Sequence, residues 1–156
     1  MAKSFSYTSR EKLPSSQVKR ALSYFRNPSK WPEWNSAAKT MLATKAETID
    51  EGDHLAIFQM IKGSLIEARW LVSKIREGPE FCEIQLTGEG QYRNERRIGR
   101  GVKNLGVCIT FLYSEDGGIE VHSSGDVSRM MSVFSKQINS FMKKQSNQII
   151  ADLAKV

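Results

Sequence analysis

The chain has 156 residues, of which 40% are hydrophobic and 26% are charged, and its net charge is +6. A chain of this length buries about 70% of the surface that its unfolded form exposes, which is enough for one core. We therefore expect one domain over residues 1–156. The composition argues against a disordered or fibrous chain, and no apolar run approaches the roughly 18 residues of a transmembrane helix.

Neither the N-terminal sequence nor the cysteine content points to secretion. Residues 1–6 lack the apolar stretch of a secretory signal, and two cysteines, Cys82 and Cys108, are too few for a disulfide framework. The sequence therefore predicts a cytoplasmic protein.

The N-terminal third is predicted to contain one strand and two helical segments. Polar residues alternate with bulky ones from Phe5 to Leu13, which is typical of a strand, and Pro14 ends it. A helix capped by Ser15 or Ser16 follows and ends at Asn27-Pro28. The segment Trp31-Pro32-Glu33-Trp34 favours a single helical turn that caps the core.

Residues 37–123 are predicted to form an antiparallel meander, because β-branched and aromatic runs alternate with short turn signals. Ile66, Ala68, Trp70 and Val72 share one parity of a strand, which indicates one buried face and one solvated face. The segment 88–106 is rich in glycine and basic residues, and we expect a loop or a weak edge strand there.

The last thirty residues return to a helical period, with apolar residues on one stripe from Val127 to Val156. We expect one long helix, capped by Asp126 or Ser128, that spans roughly 40 Å at 1.5 Å per residue. Gln145 interrupts the stripe between Met142 and Ile149. It either faces a ligand head group or water, or marks a bend in the helix.

This order of elements resembles the START/SRPBCC superfamily of birch-pollen-allergen-like proteins, from about residue 5 to residue 153. Leu13-Pro14, Asn27-Pro28 and Trp31-Pro32-Glu33-Trp34-Asn35 are similar to the opening of polyketide cyclase/dehydrase and lipid-transport members. Gly125-Asp126-Val127, leading into the last helix, resembles a group of carbon-monoxide dehydrogenase accessory proteins in the same superfamily. The resemblance implies an α+β helix-grip fold: a curved antiparallel sheet of about seven strands, two short helices after strand 1 and a long C-terminal helix across the sheet.

The resemblance also implies a cavity between the sheet and the C-terminal helix that takes an apolar or amphipathic molecule such as a lipid, quinone or polyketide-like ring system. Methionine and phenylalanine would give such a cavity adaptable walls, although the same side chains can also fill a solid core. We place Phe58, Trp70 and Phe111 on the buried sheet face. The ligand-binding residues that we predict are Trp31, Trp34, Phe58, Trp70, Phe111, Met131, Phe134, Ile138, Phe141, Met142 and Gln145.

Residues with catalytic chemistry are sparse in the sequence. His54 and His122 lack the spacing of paired metal ligands, and we expect the two cysteines to act as small hydrophobic residues. We predict no catalytic residue, no metal site and no cofactor, and the sequence favours a binding protein over an enzyme. The alternative is a cyclase or hydrolase that acts on an aromatic or polyketide-like substrate in the same cavity, using buried polar groups.

Positive charge is concentrated in residues 91–103, which contain five basic residues and one acidic residue. The basic residues are Arg93, Arg96, Arg97, Arg100 and Lys103. They would either contact RNA, an anionic membrane surface or an acidic partner, or protect an exposed sheet edge from pairing. A general nucleic-acid binder is not favoured, because residues 36–90 and 104–125 each have a net charge of −3. The oligomeric state has no signature in the sequence.

Overall fold

The computed structural model describes residues 3–156 of the chain. Within this range the chain forms one sheet of eight strands, three α-helices and two 3-10 segments, Pro28–Lys30 and Met130–Phe134. The strands are β1 (Lys3–Lys12), β2 (Ala38–Ala43), β3 (His54–Ile61), β4 (Ser64–Gly78), β5 (Phe81–Arg93), β6 (Arg96–Ile98), β7 (Val102–Leu112) and β8 (Gly118–Val127). The helices are α1 (Ser15–Phe25), α2 (Trp31–Trp34) and α3 (Ser135–Leu153).

The sheet is antiparallel throughout, with the strand order β1-β8-β7-β5-β4-β3-β2, and β6 pairs with the end of β5. The first and last strands are neighbours, with Lys3 opposite Val127 and Lys12 opposite Gly118. Helix α3 packs on β1 and β8, and α1 packs on β7 and β8. This architecture confirms the predicted α+β helix-grip fold.

The two faces of the sheet differ in burial, as the period-2 alternation predicts. The face covered by the helices, called the inner face here, carries buried residues on every central strand: Ile57, Ala68, Val72, Ile84, Leu86, Ile109, Phe111 and Val121. The opposite, outer face carries the glutamates that alternation places in solvent, and Glu120 there pairs with Arg10 at 2.6 Å. The hydrophobic core therefore lies between the inner face and the helices.

The start of α1 differs from the predicted cap. Helix α1 begins at Ser15 directly after Pro14, and no side chain caps its first turn. The Ser15 hydroxyl instead donates to the carbonyl of Tyr113 at 2.7 Å. The Ser15 side chain therefore connects the start of α1 to the end of β7. It makes this tertiary hydrogen bond instead of accepting from a backbone N–H in the first turn of its own helix.

Most of residues 88–106 lies in paired strands, contrary to the prediction of a loop or weak edge strand, and only the short edge strand β6 matches it. Strand β5 runs through Gly88 and Gly90 to Arg93, and β7 begins at Val102, so only residues 99–101 form a turn between β6 and β7. A two-residue turn, Asn94–Glu95, joins β5 to β6, and both residues have positive φ angles of 50° and 65°. Positive φ at both central positions is the geometry of a type I′ hairpin turn. The predicted basic segment is therefore a β-hairpin.

The C-terminal region also departs from the single long helix. Residues 130–134 form the 3-10 segment, and α3 begins only at Ser135, so its 19 residues span about 28 Å at 1.5 Å per residue. The Ser128 hydroxyl accepts from the backbone N–H of Met131 at 3.3 Å, but the N-cap positions are Arg129 for the 3-10 segment and Phe134 for α3, so the predicted cap is wrong. Asp126 instead accepts from Asn104 and Ser4, each at 2.8 Å, and these hydrogen bonds lower the pKa of its carboxyl.

No helix between residues 3 and 156 is both long enough and apolar enough to cross a membrane.

Candidate ligand-binding site

Four aromatic rings fill one end of the space between the inner face and the helices. Phe25 of α1 lies 5.0 Å from Trp31, 5.8 Å from Trp34 and 5.6 Å from Phe111 of β7, measured between ring centroids. Trp31 and Trp34 are 4.7 Å apart, and all four side chains are buried. Three predicted ligand-binding residues, Trp31, Trp34 and Phe111, therefore form part of a packed aromatic cluster.

The two indoles of this cluster differ in their hydrogen bonds. Trp31 Nε1 donates to the carbonyl of Phe25 at 2.7 Å. Trp34 Nε1 is fully buried and has no acceptor within hydrogen-bond distance among the described residues. A buried donor without a partner lowers the stability of the fold by about 1–3 kcal/mol, so an acceptor for the Trp34 indole N–H would be favourable.

This difference predicts unequal effects of the same substitution. Both Trp31→Phe and Trp34→Phe remove bulk, but only Trp31→Phe also leaves the Phe25 carbonyl without its donor. We expect Trp31→Phe to lower the free energy of unfolding by about 1–2 kcal/mol more than Trp34→Phe. Urea denaturation of the two variants measures this difference. Equal losses would mean that the indole of Trp34 has an acceptor as good as that of Trp31.

One side of α3 is attached to the first and last strands. Ser146 is buried, and its hydroxyl lies 2.7 Å from the hydroxyl of Ser123 on β8. Asn147 accepts from Tyr7 at 3.1 Å and from Ser9 at 2.7 Å, both on β1. The predicted residue Met142 lies one turn before Ser146 and is buried on the same side. This side of the helix is occupied by protein contacts.

A second side of α3 faces towards β2. Ile138, Gln145 and Asp152 are spaced by seven residues, which places them on one line of the helix. At the end of this line Asp152 accepts from the backbone N–H of Ser36 at 3.0 Å and from its hydroxyl at 2.8 Å, just before β2 begins. The line that carries Ile138 and Gln145 therefore ends in the contact between α3 and the segment before β2, and α3 is continuous through Gln145.

Large apolar side chains near this line remain open to solvent. Phe141 is 49% exposed and Phe134 is 50% exposed, whereas Ile138 and Gln145 are half-buried. On the sheet, Trp70 is half-buried on the inner face, where it pairs with Leu55 of β3. The structure thus leaves accessible apolar surface on both α3 and the inner face, away from the packed aromatic cluster.

Two other predicted residues lie elsewhere. Phe58 is on the outer face, contrary to the prediction, because Leu55 and Ile57 are buried and Phe58 has the opposite parity on β3. Met131 packs against Gly101 so closely that a Cβ there would overlap its side chain. Phe58 therefore leaves the candidate site, and Met131 lies at the turn between β6 and β7.

Buried groups with acid–base chemistry are already engaged. Asp152 accepts from Ser36 and Gln148, and buried Asp53 accepts from the backbone N–H of Asp50 at 2.8 Å. Burial raises the pKa of the Cys82 and Cys108 thiols, which disfavours the reactive thiolate, as expected for small hydrophobic residues. Across residues 3–156, no three His, Cys, Asp or Glu residues are grouped closely enough to hold a metal ion.

The outer face carries a polar groove that the sequence analysis did not single out. It has a volume of about 500 Å³ and lies over β2 to β5. His54 Nδ1 lies 2.7 Å from Glu89, and Arg69 pairs with Glu67 at 2.7 Å while stacking 3.8 Å above the ring of Tyr92. Strand parity assigns Glu67 and Arg69 to this face, but the approach of Glu89 depends on the irregular register of β4 and β5 near Arg69. Every charged group here already has a partner.

Solved structures with a similar fold cover nearly the whole chain. Ginseng major latex-like protein 151 from Panax ginseng superposes with a TM-score of 0.69 at 10% identity, over 97% of this chain and 96% of that one. A START superfamily protein from Mycobacterium smegmatis gives a TM-score of 0.63 at 11% identity, over 97% and 94%. Norcoclaurine synthase from Thalictrum flavum, solved as a point mutant with a transition-state analogue, gives 0.60 at 12%, over 99% and 96%.

These likenesses confirm, at the level of the fold, the resemblance to the START superfamily of birch-pollen-allergen-like proteins. No protein-family model matches the sequence, and no curated protein matches it.

Proposed function

We propose that this protein binds an apolar or amphipathic small molecule, such as a lipid, quinone or polyketide-like ring system, between the inner face of the sheet and α3. The observation that carries the proposal is the half-exposed apolar surface on α3, along the side of the helix whose C-terminal end contacts Ser36 before β2. Large apolar side chains are costly to leave in water, and a partly exposed cluster of them is typical of a binding site.

The candidate walls come from two layers. Ile138 and Phe141 of α3 contribute one wall, and Trp70 contributes to the other. The aromatic cluster around Phe25 closes one end, so the ligand would lie beside the N-terminal half of α3. Gln145 offers a polar contact at this level of the helix, which suits a ligand that carries a polar group on an apolar body.

Phe141 is the residue to substitute in a binding experiment, with Met60 as its matched control. The two are equally exposed, at 49% and 48%, but Met60 lies on the outer face of β3. We expect Phe141→Ser to weaken binding of an apolar fluorescent probe, anilinonaphthalene sulfonate, by about fivefold to tenfold, because half of a phenyl side chain leaves the contact. Met60→Ser should leave the affinity unchanged.

Native mass spectrometry of protein purified without detergent supplies the second readout. We expect a bound species of lipid-like mass on the unmodified protein and less of it on Phe141→Ser. No retained ligand, together with equal probe affinities for the Phe141 and Met60 variants, would contradict a binding site on this side of α3.

The enzymatic alternative remains a prediction. Norcoclaurine synthase shows that a protein of similar fold can be an enzyme. In this chain the two buried carboxylates, Asp53 and Asp152, hold structural hydrogen bonds, and the histidines lie on the outer face. A binding role is therefore the better-supported proposal.

A further inference from the structure

Three apolar side chains project from one end of the molecule. They belong to the 3-10 segment that precedes α3: Met130 is 85% exposed, Val133 is 75% exposed and Phe134 is 50% exposed. We call Met130, Val133 and Phe134 the apolar tip. Between them, Met131 turns inward onto Gly101, so the segment is anchored on one side and presents its apolar residues on the other.

The basic hairpin lies directly beside the apolar tip. The backbone N–H of Ser128 donates to the carbonyl of Gly101 at 2.7 Å, which joins the end of β8 to the turn between β6 and β7. Arg100 lies in this turn, and Arg129 immediately precedes the 3-10 segment. The cations Arg93, Arg96, Arg97, Arg100, Lys103 and Arg129 are all exposed, and none of them forms a salt bridge within residues 3–156.

We propose that this end of the molecule docks on an anionic lipid bilayer, with the apolar tip inserted among the acyl chains and the cations of the hairpin against the head groups. Apolar side chains flanked by unpaired cations match the two layers of a bilayer surface, which is apolar inside and negatively charged outside. An RNA contact suits the cations alone, because protein–nucleic acid interfaces are polar and would leave Met130 and Val133 without a partner.

The proposal does not rest on the ligand-binding site, although Phe134 of the apolar tip is also one of the exposed apolar residues described near α3. Its residues lie in the hairpin and the 3-10 segment, and neither Phe141 nor Trp70 takes part. Membrane docking can therefore fail while ligand binding stands, and the reverse also holds.

Flotation of the full chain with vesicles tests the proposal. We expect the protein to float with vesicles of phosphatidylcholine containing about 30% phosphatidylserine, to stay behind with pure phosphatidylcholine, and to be released at about 0.5 M NaCl. Substituting Arg93, Arg96, Arg97 and Arg100 by serine together should weaken binding on the order of a thousandfold, because each basic residue near the surface contributes about 1 kcal/mol to the attraction. The pair Met130→Ser and Val133→Ser should weaken it about tenfold.

Two sets of control substitutions match these variants in charge and in polarity. Lys12, Lys19, Lys74 and Lys155 are exposed lysines on β1, α1, β4 and the C-terminus, and replacing them by serine removes the same charge. Leu42→Ser and Leu65→Ser remove two exposed apolar side chains from the outer face. Both controls should float as the unmodified protein does, and thermal unfolding confirms that each variant is folded.

Three outcomes would overturn the proposal. The first is the absence of flotation with anionic vesicles. The second is equal loss of flotation in the lysine control and the arginine variant, which would indicate an effect of net charge alone. The third is tight binding of a single-stranded RNA oligonucleotide that depends on the arginines but not on Met130 and Val133.

Discussion

Replacing Phe25 by alanine is expected to lower the free energy of unfolding by about 3–5 kcal/mol. The ring is fully buried and touches Trp31, Trp34 and Phe111, so its removal leaves a cavity that three large rings border. Because α1, α2 and β7 meet at this ring, the neighbouring side chains cannot close the cavity without moving whole elements. Urea denaturation monitored by tryptophan fluorescence measures the loss.

Phe134→Ala is the matched control for Phe25→Ala. The same side chain is removed, but Phe134 is half exposed in the 3-10 segment, and we expect a loss below about 1 kcal/mol. If Phe25→Ala were as mild as Phe134→Ala, the aromatic cluster would be loosely packed. The space around Trp34 would then be open to a ligand, contrary to the packing described above.

Asp152→Ala is expected to cost about 2 kcal/mol, although a carboxylate in the last turn of a helix is unfavourable for the helix itself. The isolated helix would gain slightly from the change, because the macrodipole is negative at its C-terminal end. In the fold, however, Asp152 is buried and accepts from Ser36 twice and from Gln148 once at 2.8 Å. The tertiary contacts therefore outweigh the helix dipole.

Asp152→Asn separates these two contributions. The amide keeps one acceptor oxygen for Ser36 and removes the negative charge, so we expect about half the loss of the alanine variant. Hydrogen exchange should show faster opening of the last turns of α3 in Asp152→Ala than in Asp152→Asn. A stabilised alanine variant would mean that the helix dipole dominates and that the contact with Ser36 contributes little.

The sequence predicts the secondary structure well where short-range rules apply. The alternation of Ile66, Ala68, Trp70 and Val72 places all four on the inner face, since parity is a property of a single strand. Turn residues and prolines also act locally, and the first strand, α1, α2 and most of the meander lie where they are predicted. The resemblance then supplies the order of layers, which matches the observed fold.

Alternation along a strand shows which residues share a face, but it does not show which of the two faces is buried. Phe58 is a large aromatic residue and therefore suggests a buried position, but the neighbouring Ile57 takes the inner face and turns Phe58 outward. The prediction of a loop or weak edge strand over residues 88–106 is wrong for most of that segment, because pairing between strands outweighs low strand propensity. Glycine is a poor strand former, and pairing with β4 compensates for the low propensity of Gly88 and Gly90.

The sequence by itself determined the faces of the main strands, the positions of the turns and the concentration of positive charge in residues 91–103. Only the tertiary structure decided which surfaces meet: that Asp152 reaches Ser36, that the indole of Trp34 is buried without an acceptor among the described residues, and that Met130 and Val133 lie beside the basic hairpin. The physical reason is the sequence distance over which each effect acts. Propensity, parity and turn chemistry act over a few residues, whereas these contacts join segments distant in sequence that approach only when the sheet and α3 bury the core between them.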